Sequence, residues 1–146
     1  MSDMVIREFK VDDLKRIHEI ELMSFDESYG INMFRKLHDI GTGFLVYEIE
    51  SRVVAYIIFW IKDEGLGHII SLAVDKDYRR SNIASSLLNK AIETFKLMDI
   101  DKITLEVKVT NTSAVNFYKK FDFKIDREVP NYYGVESAYV MIYNFD

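Results

Sequence analysis

Residues 74–88, VDKDYRRSNIASSLL, set two arginines, a Ser-Asn pair and several small side chains between an apolar stretch and an amphipathic one. That order suits an anion. The first backbone N–H groups of a helix lack partners within it, and the positive end of the helix dipole adds to their pull on a phosphate. A main chain wrapped around a phosphate usually needs a residue with positive φ. Glycine adopts that conformation most readily, and asparagine is among the better substitutes. Asn82 stands where such a residue is wanted, and Ala84 and Ser85 are small enough to let a ligand approach the backbone. Arg79 and Arg80 add local positive charge. The competing reading of the same residues is a solvated basic turn ahead of a capped helix.

A second group lies in LEVKVTNTSAVNFYKKF, residues 105–121. On an alternating strand, Ile103, Leu105, Val107 and Val109 share one face while Thr104, Glu106 and Lys108 share the other. By spacing alone Glu106 reads as a carboxylate on a solvated sheet face. In the helix that follows, Ala114, Phe117 and Phe121 form an apolar stripe with Tyr118 at its edge, which suits an amphipathic tyrosine of the core equally well. Asn111, ahead of that helix, is a natural N-cap.

The rest of the chain must position these groups. At 146 residues it is expected to form one domain, residues 1–146, with a core of its own. It has no cysteine, which excludes disulfides, thiolate metal sites and a covalent thiol mechanism, and suits a reducing compartment. His18, His38 and His68 show no metal-ligand spacing, so no metal is expected. A net charge of −5 argues against a general nucleic-acid binder. The charged first ten residues lack the apolar core of a signal peptide, and the longest apolar run, Val53 to Ile61, is too short to span a bilayer. The expectation is a cytoplasmic protein with neither nucleic acid nor membrane as partner.

Apolar periodicity predicts the elements. Val5 to Phe9 alternates as a strand, and Val11, Leu14, Ile17 and Ile20 mark a helical stripe. A shorter helix covers residues 31–40 and stops at Gly41 and Gly43. Two strands joined by a tight turn near Glu50 to Arg52 follow, and the second, from Val53 to Ile61, is apolar on both faces and predicted to be central. A strand from His68 to Val74 precedes a helix from Ile83 to Met98; then come the strand and short helix above, and two last strands near 123–129 and 138–144. This β-α-α-β-β-β-α-β-α-β-β order predicts an α/β (α+β) fold, a mixed sheet of about seven strands with four helices.

ISLAVDKDYRRSNIASSLL, residues 70–88, resembles the acetyl-CoA-binding motif of the GNAT acetyltransferase superfamily: a strand, then Arg/Gln-x-x-Gly-x-Gly/Ala, then a helix. Arg79, Asn82 and Ala84 occupy the marked positions, with Asn82 in place of the usual glycine. GHIISLAV, LEVKVTNTSAVNFYKKFDF and NYYG are similar, in order, to segments of the protein N-terminal (Nα) acetyltransferases. These include the bacterial ribosomal-protein-alanine type and the catalytic subunits of archaea and eukaryotes.

The resemblance implies an acetyl-CoA-dependent transfer to the α-amine of a protein or peptide, directly within a ternary complex. It implies that main-chain groups of Leu72, Ala73 and Val74 align the pantetheine arm and polarise the thioester. Arg79, Arg80, Ser81, Asn82, Ile83, Ala84 and Ser85 would then hold the pyrophosphate, with Asn111 and Tyr118 also contacting CoA. By the same resemblance Glu106 is the general base, acting through water because a carboxylate is a far weaker base than an amine, and Tyr118 is the acid that protonates the leaving thiolate. Phe25, Glu27 and Tyr29 would line the pocket for the first residue, and Tyr132 and Tyr133 would hold the first peptide units. A ribosome or an auxiliary subunit is an implied partner. His68 lies near the strand edge, with a structural role as the simpler reading. Two other functions fit the residues: acetylation of a small amine or lysine side chain, and a non-catalytic acyl-CoA-binding regulatory module.

Overall fold

The apolar run that opens at Val53 becomes a strand whose residues through Phe59 are all buried, as a strand apolar on both faces requires. The burial ends there: Trp60 and Ile61, expected to be covered, are exposed. The computed structural model describes residues 3–25 and 30–145. Its elements, in chain order, are β1 (Met4–Glu8), α1 (Leu14–Ser24), α2 (Ile31–Asp39), β2 (Gly43–Ile49), β3 (Arg52–Asp63), β4 (Leu66–Val74), α3 (Ile83–Leu97), β5 (Lys102–Lys108), α4 (Thr112–Lys120), β6 (Lys124–Tyr133) and β7 (Glu136–Asn144). The strands form one seven-stranded sheet in the order β1-β2-β3-β4-β5-β7-β6. β4 and β5 are parallel, with Leu66, Gly67 and His68 opposite Lys102, Ile103 and Thr104. The β1–β2, β2–β3, β5–β7 and β6–β7 pairs are antiparallel. This is the mixed α/β architecture that the element order predicts.

Two compact units divide the chain: Met1–Trp60 with Ile70–Phe95, and Ile61–Ile69 with Lys96–Asp146. The first has a core of Phe9, Ile17, Ile20, Phe34, Phe44, Val46, Val53, Tyr56, Ile58 and Ala73, against which Leu14, Leu37 and Ile70 pack. Val11, expected in the α1 stripe, instead lies exposed in a 3-10 turn, Val11–Asp13, ahead of the helix. Asp13 explains the break. Its carboxylate accepts the Lys10 N–H at 2.8 Å and a two-pronged bond from Arg7, so the first turn winds tightly around it. Glu50 and Ser51 form a two-residue hairpin turn with φ of 49° and 66°, the mirror-image turn whose twist matches the flanking strands.

A carboxylate anchors the far end of β4. Asp75, only 2% exposed, caps the 3-10 turn Lys76–Tyr78 by accepting the Asp77 N–H, and it is ion-paired with Arg16 of α1. Arg16 also donates to the Val53 carbonyl at 2.8 Å. A bulge between Tyr47 and Glu48 in the β2–β3 register leaves Val54 without a cross-strand partner, and its carbonyl accepts the Asp75 N–H at 2.8 Å.

In the second unit, β5 buries Ile103, Leu105 and Val107 and turns Thr104, Glu106 and Lys108 to its other face. Val115 is the most buried residue of α4, while Ala114, Phe117 and Tyr118 are half-buried, so the covered face is shifted from the expected stripe towards Tyr118. The sixth strand is longer than its apolar pattern predicts. It runs through Asn131, Tyr132 and Tyr133, so NYYG is a strand end and a turn rather than a free loop.

Burial alone would push the Asp75 carboxyl up, but the Asp77 amide and the Arg16 guanidinium bring it below the usual carboxylate range. A carboxyl depressed in the folded state contributes stability above its unfolded pKa of about 4, lost as the pH falls through its lower folded value. Asp75→Asn is therefore expected to cost about 3 kcal/mol at pH 7. It should also flatten the acid limb of stability, both read from urea melts across pH.

Candidate functional site

Residues 79–85, the expected phosphate cradle, lie in the first unit. After β4 the chain passes through the 3-10 turn, and Arg79 is extended, with φ −70° and ψ 159°. Arg80 and Asn82 both take the left-handed conformation, at φ 64° and 65°. Asn82 thus has the backbone conformation that a glycine would supply at this point. Ser81 turns its hydroxyl back onto the Tyr78 carbonyl, which tightens the turn. The first hydrogen bond of α3 runs from the Ser86 N–H to the Asn82 carbonyl at 3.0 Å. The amides of Ile83, Ala84 and Ser85 therefore precede the helix's own ladder and are the donors available to an anion. Ile83 is buried and holds the turn to the core, while Ala84 and Ser85 are half-buried and small. These residues fit a phosphate: unpaired donors at a helix start, the one bulky side chain among them, Ile83, turned into the core, and an exposed arginine alongside.

The two arginines behave differently from one another. Arg79 donates from Nε to the Val74 carbonyl at 3.1 Å, and from Nη2 to Ser24 Oγ at 3.1 Å and the Met23 carbonyl at 3.4 Å. Its guanidinium braces the loop against the end of α1 instead of standing over the turn as local free charge. Arg80 is exposed, and the sequence pattern has no way to separate the two roles. Of the β4 residues singled out, Ala73 and Val74 are buried and Leu72 is half-buried. Phe25 closes α1, where its N–H bonds the Glu21 carbonyl, and its ring is part-exposed. Glu27 and Tyr29 lie outside the described residues.

The second unit holds the acid–base candidates. Glu106 does not lie on a solvated sheet face: its side chain is 18% exposed, and side chains from two other strands reach it. Tyr132, at the end of β6, donates its hydroxyl to Glu106 Oε1 at 3.0 Å. His68, on β4, brings Nε2 to 3.2 Å from Oε2, an oxygen shielded from solvent that has no aligned hydrogen-bond donor. The other ring nitrogen of His68 lies 2.9 Å from the Thr104 hydroxyl. Beside Glu106, Lys108 is ion-paired with Glu136 at 2.9 Å and lies 5.5 Å from the centre of the Tyr133 ring.

Neighbouring residues of a regular strand face opposite ways, yet Tyr132 and Tyr133 both reach the Glu106–Lys108 row. The β6–β7 register explains this. It passes from Val129 opposite Ala138 to Tyr133 opposite Glu136, so residues 130–132 stand against Ser137 alone. Asn131, at φ 57°, makes the bend, and this bulge swings Tyr132 back onto the face it would otherwise leave.

Tyr118 packs edge-on against Phe117 and Phe123, with ring centres 5.3 and 5.7 Å apart. Burial, with a smaller contribution from Tyr133, pushes its phenol well above the ordinary tyrosine value, so it keeps its proton throughout the neutral range. Asn111 caps α4, its side-chain oxygen accepting the Ala114 N–H at 3.2 Å. His68, read from the sequence as a residue beside the strand edge with a structural role as the simpler reading, faces Glu106 instead. Its signal was faint: a polar ring in the half-buried alternation of β4, at the register position beside Thr104.

Burial pushes the His68 imidazole below its usual value; Glu106 pulls it up, and Lys62 adds to the lowering. The ring is therefore neutral at pH 7. Of its two tautomers, the one with a proton on Nε2 places an N–H rather than a lone pair towards the carboxylate, and Nδ1 then accepts from Thr104. Because the unfolded ring binds a proton more readily, this group's contribution to stability falls as the pH drops through about 6.5. Ring-proton NMR is expected to give a His68 midpoint below 6.5, and a midpoint at or above it would contradict the neutral assignment.

Comparison with known proteins extends over the same elements. The pattern of the Acetyltransferase (GNAT) family matches residues 14–123. An uncharacterized N-acetyltransferase of Methanocaldococcus jannaschii is 38% identical over 143 residues, covering 95% of this chain and 90% of the relative. The N-alpha-acetyltransferase of Saccharolobus solfataricus is 33% identical, covering 95% and 92%. The crystal structure of Ard1 from Thermoplasma volcanium superposes with a TM-score of 0.94 at 30% identity, covering 98% of each chain. The matched span takes in the turn around Asn82, Glu106 and Tyr118, and archaeal N-acetyltransferases align over nearly their whole length: this chain belongs to the GNAT acetyltransferase family.

Proposed function

We propose that the protein transfers the acetyl group of acetyl-CoA to the α-amine of a protein or peptide N-terminus, the 146 residues acting as one catalytic domain. The observation that carries this reading is the environment of Glu106. A carboxylate drawn out of solvent, bonded by one tyrosine and faced by a neutral histidine, suits an incoming cationic amine. The names of the archaeal relatives support the α-amine as acceptor.

In this reading the amides of Ile83, Ala84 and Ser85, with Arg80, hold the pyrophosphate, and Arg79 keeps their loop in shape. The main chain of Leu72, Ala73 and Val74 carries the pantetheine arm, and Asn111 adds a contact from α4. A peptide α-amine has a pKa near 8 and is largely protonated at neutral pH. Glu106 draws the ammonium in and takes its proton through a water molecule, freeing the nitrogen lone pair to attack the thioester carbon. As the carbon–sulfur bond breaks, Tyr118 donates a hydrogen bond to the departing thiolate. A phenol less acidic than an ordinary tyrosine stabilises that thiolate chiefly as a fixed donor, and the proton then equilibrates with solvent. Tyr133, beside Lys108, and Phe25, at the end of α1, contact the acceptor.

Acetyl transfer to a peptide panel varying the first two residues, run beside polyamines and free lysine, tests the acceptor class. Turnover confined to polyamines or lysine would replace the α-amine. Glu106→Gln is expected to lower kcat about 100-fold, and Tyr118→Phe about 10-fold or more, with acetyl-CoA affinity held within a factor of about 3. Arg80→Glu is expected to weaken acetyl-CoA binding about 10-fold at low ionic strength and less at high, because an exposed charge is screened. Calorimetric titration at two salt concentrations reads it, and unchanged affinity at both would remove Arg80 from the cradle.

A further inference from the structure

We propose that Tyr132 is a positioning residue for the base: its hydroxyl holds the Glu106 carboxylate in the orientation from which it draws a proton, through water, from the acceptor amine. The inference rests on the acetyltransferase reading above and deepens it. A tyrosine expected to grip the peptide acts instead through the carboxylate beside it.

A carboxylate on a sheet face does not hold its own orientation. The last torsion of a glutamate is broad, so the plane of its two oxygens turns readily unless something fixes it. Oε2 does not supply that restraint. It faces His68 Nε2 at 3.2 Å and is closed to solvent, but it receives no aligned hydrogen bond. Oε1 supplies it by accepting the Tyr132 hydroxyl at 3.0 Å. This bond uses one of the two lone pairs of Oε1 and leaves the other for a water. That water passes a proton to Glu106 as it takes one from the ammonium. The same oxygen is thus both held and usable.

Tyr132 is itself held in place. It packs edge-on against Tyr133, with ring centres 4.8 Å apart and planes at 81°. Tyr133 stands opposite Glu136 in the β6–β7 register, Lys108 pairs with Glu136 at 2.9 Å, and the Lys108 ammonium lies 5.5 Å from the Tyr133 ring. Two residues before Tyr132, the ring of Pro130 fixes φ, and Asn131 makes the bend at φ 57°. Glu106 and Lys108 project from the same face of β5 and meet, across β7, two successive tyrosines of β6. A regular strand would turn only one of those tyrosines to this face, so the bulge is what brings the hydroxyl to the base. A donor fixed before the reaction costs no reorganisation during it.

The test compares the wild type, Tyr132→Phe, Glu106→Gln and the double variant. The first turnover of enzyme loaded with acetyl-CoA is followed by rapid quench over a range of concentrations of the panel peptide that the wild type acetylates fastest. Phenylalanine keeps the ring against Tyr133 and removes only the hydroxyl. Tyr132→Phe is expected to slow the saturated first turnover about 10-fold, a part of what a positioned base contributes, with the half-saturating peptide concentration and the acetyl-CoA affinity held within a factor of about 3. In the Glu106→Gln background the same change is expected to alter the rate less than about twofold, because groups that act as a unit are not additive.

An unchanged first turnover in Tyr132→Phe overturns the inference. So does a loss confined to the half-saturating peptide concentration, which would make Tyr132 a grip on the acceptor. An equal loss in the Glu106→Gln background overturns it too, since the hydroxyl would then act without the carboxylate. Any of these results beside wild-type transfer to a peptide sinks this inference alone. A wild type that acetylates none of the peptides sinks the functional reading, and this inference falls with it.

Discussion

The conformation of the turn ahead of α3 depends on one buried ion pair. Asp75 ends β4 almost entirely out of solvent, and Arg16 of α1 meets it there. Burying two charges costs desolvation energy that their attraction offsets only when the remaining polar atoms are also satisfied. Here they are: the Asp77 amide donates to Asp75, Arg16 donates to the Val53 carbonyl, and the bulged Val54 offers its carbonyl to the Asp75 N–H. Such a pair adds little net stability over an apolar substitute, but it fixes where the chain leaves the sheet and in which direction. Every residue from Lys76 to Ser85 takes its position from that exit.

Fixing the exit lets the turn do without glycine. Two non-glycine residues in left-handed conformation, Arg80 and Asn82, each carry a conformational cost of about 1 kcal/mol. Asparagine bears it more easily than arginine, because its short polar side chain bonds locally. The cost is borne by contacts on both sides of the turn. Asp75 and Arg79 hold the chain before it, with Arg79 reaching Val74, Ser24 and Met23, and buried Ile83 and the Ser86 bonds to Asn82 hold it after. A glycine would reach the same φ more cheaply but would also sample other conformations. The asparagine turn is held in this one shape by its neighbours.

How much of this the sequence conveys follows from the range of each interaction. Apolar periodicity is local, so the order of strands and helices and the positive φ at Asn82 were legible from neighbouring residues. The Glu106 group was legible only in part. Its position on the polar face of β5 follows from alternation, but its partners arrive from β4 and β6 through the sheet register. A bulge of residues 130–132 decides that Tyr132 rather than Tyr133 reaches the carboxylate; Pro130 marks an edge or irregular strand, but nothing in the residue types says which side chain the bulge turns inward. The direction of the Arg79 side chain was hidden for a similar reason: besides Val74, its partners Met23 and Ser24 lie on α1, 55 residues or more earlier in the chain.

The neutral state of His68 gives the Glu106 group its directional sense. An imidazolium at 3.2 Å would satisfy the carboxylate's charge, leaving Glu106 a structural ion pair. Burial prevents this by holding the ring below its usual pKa against the pull of Glu106 itself. The ring then shields one oxygen from solvent and contributes no charge, while Thr104 fixes its orientation. Lys108, the nearest cation along the strand, is already committed to Glu136. The negative charge of Glu106 is thus left to act outward through Oε1, which accepts the Tyr132 hydroxyl at 3.0 Å and keeps capacity for a second donor.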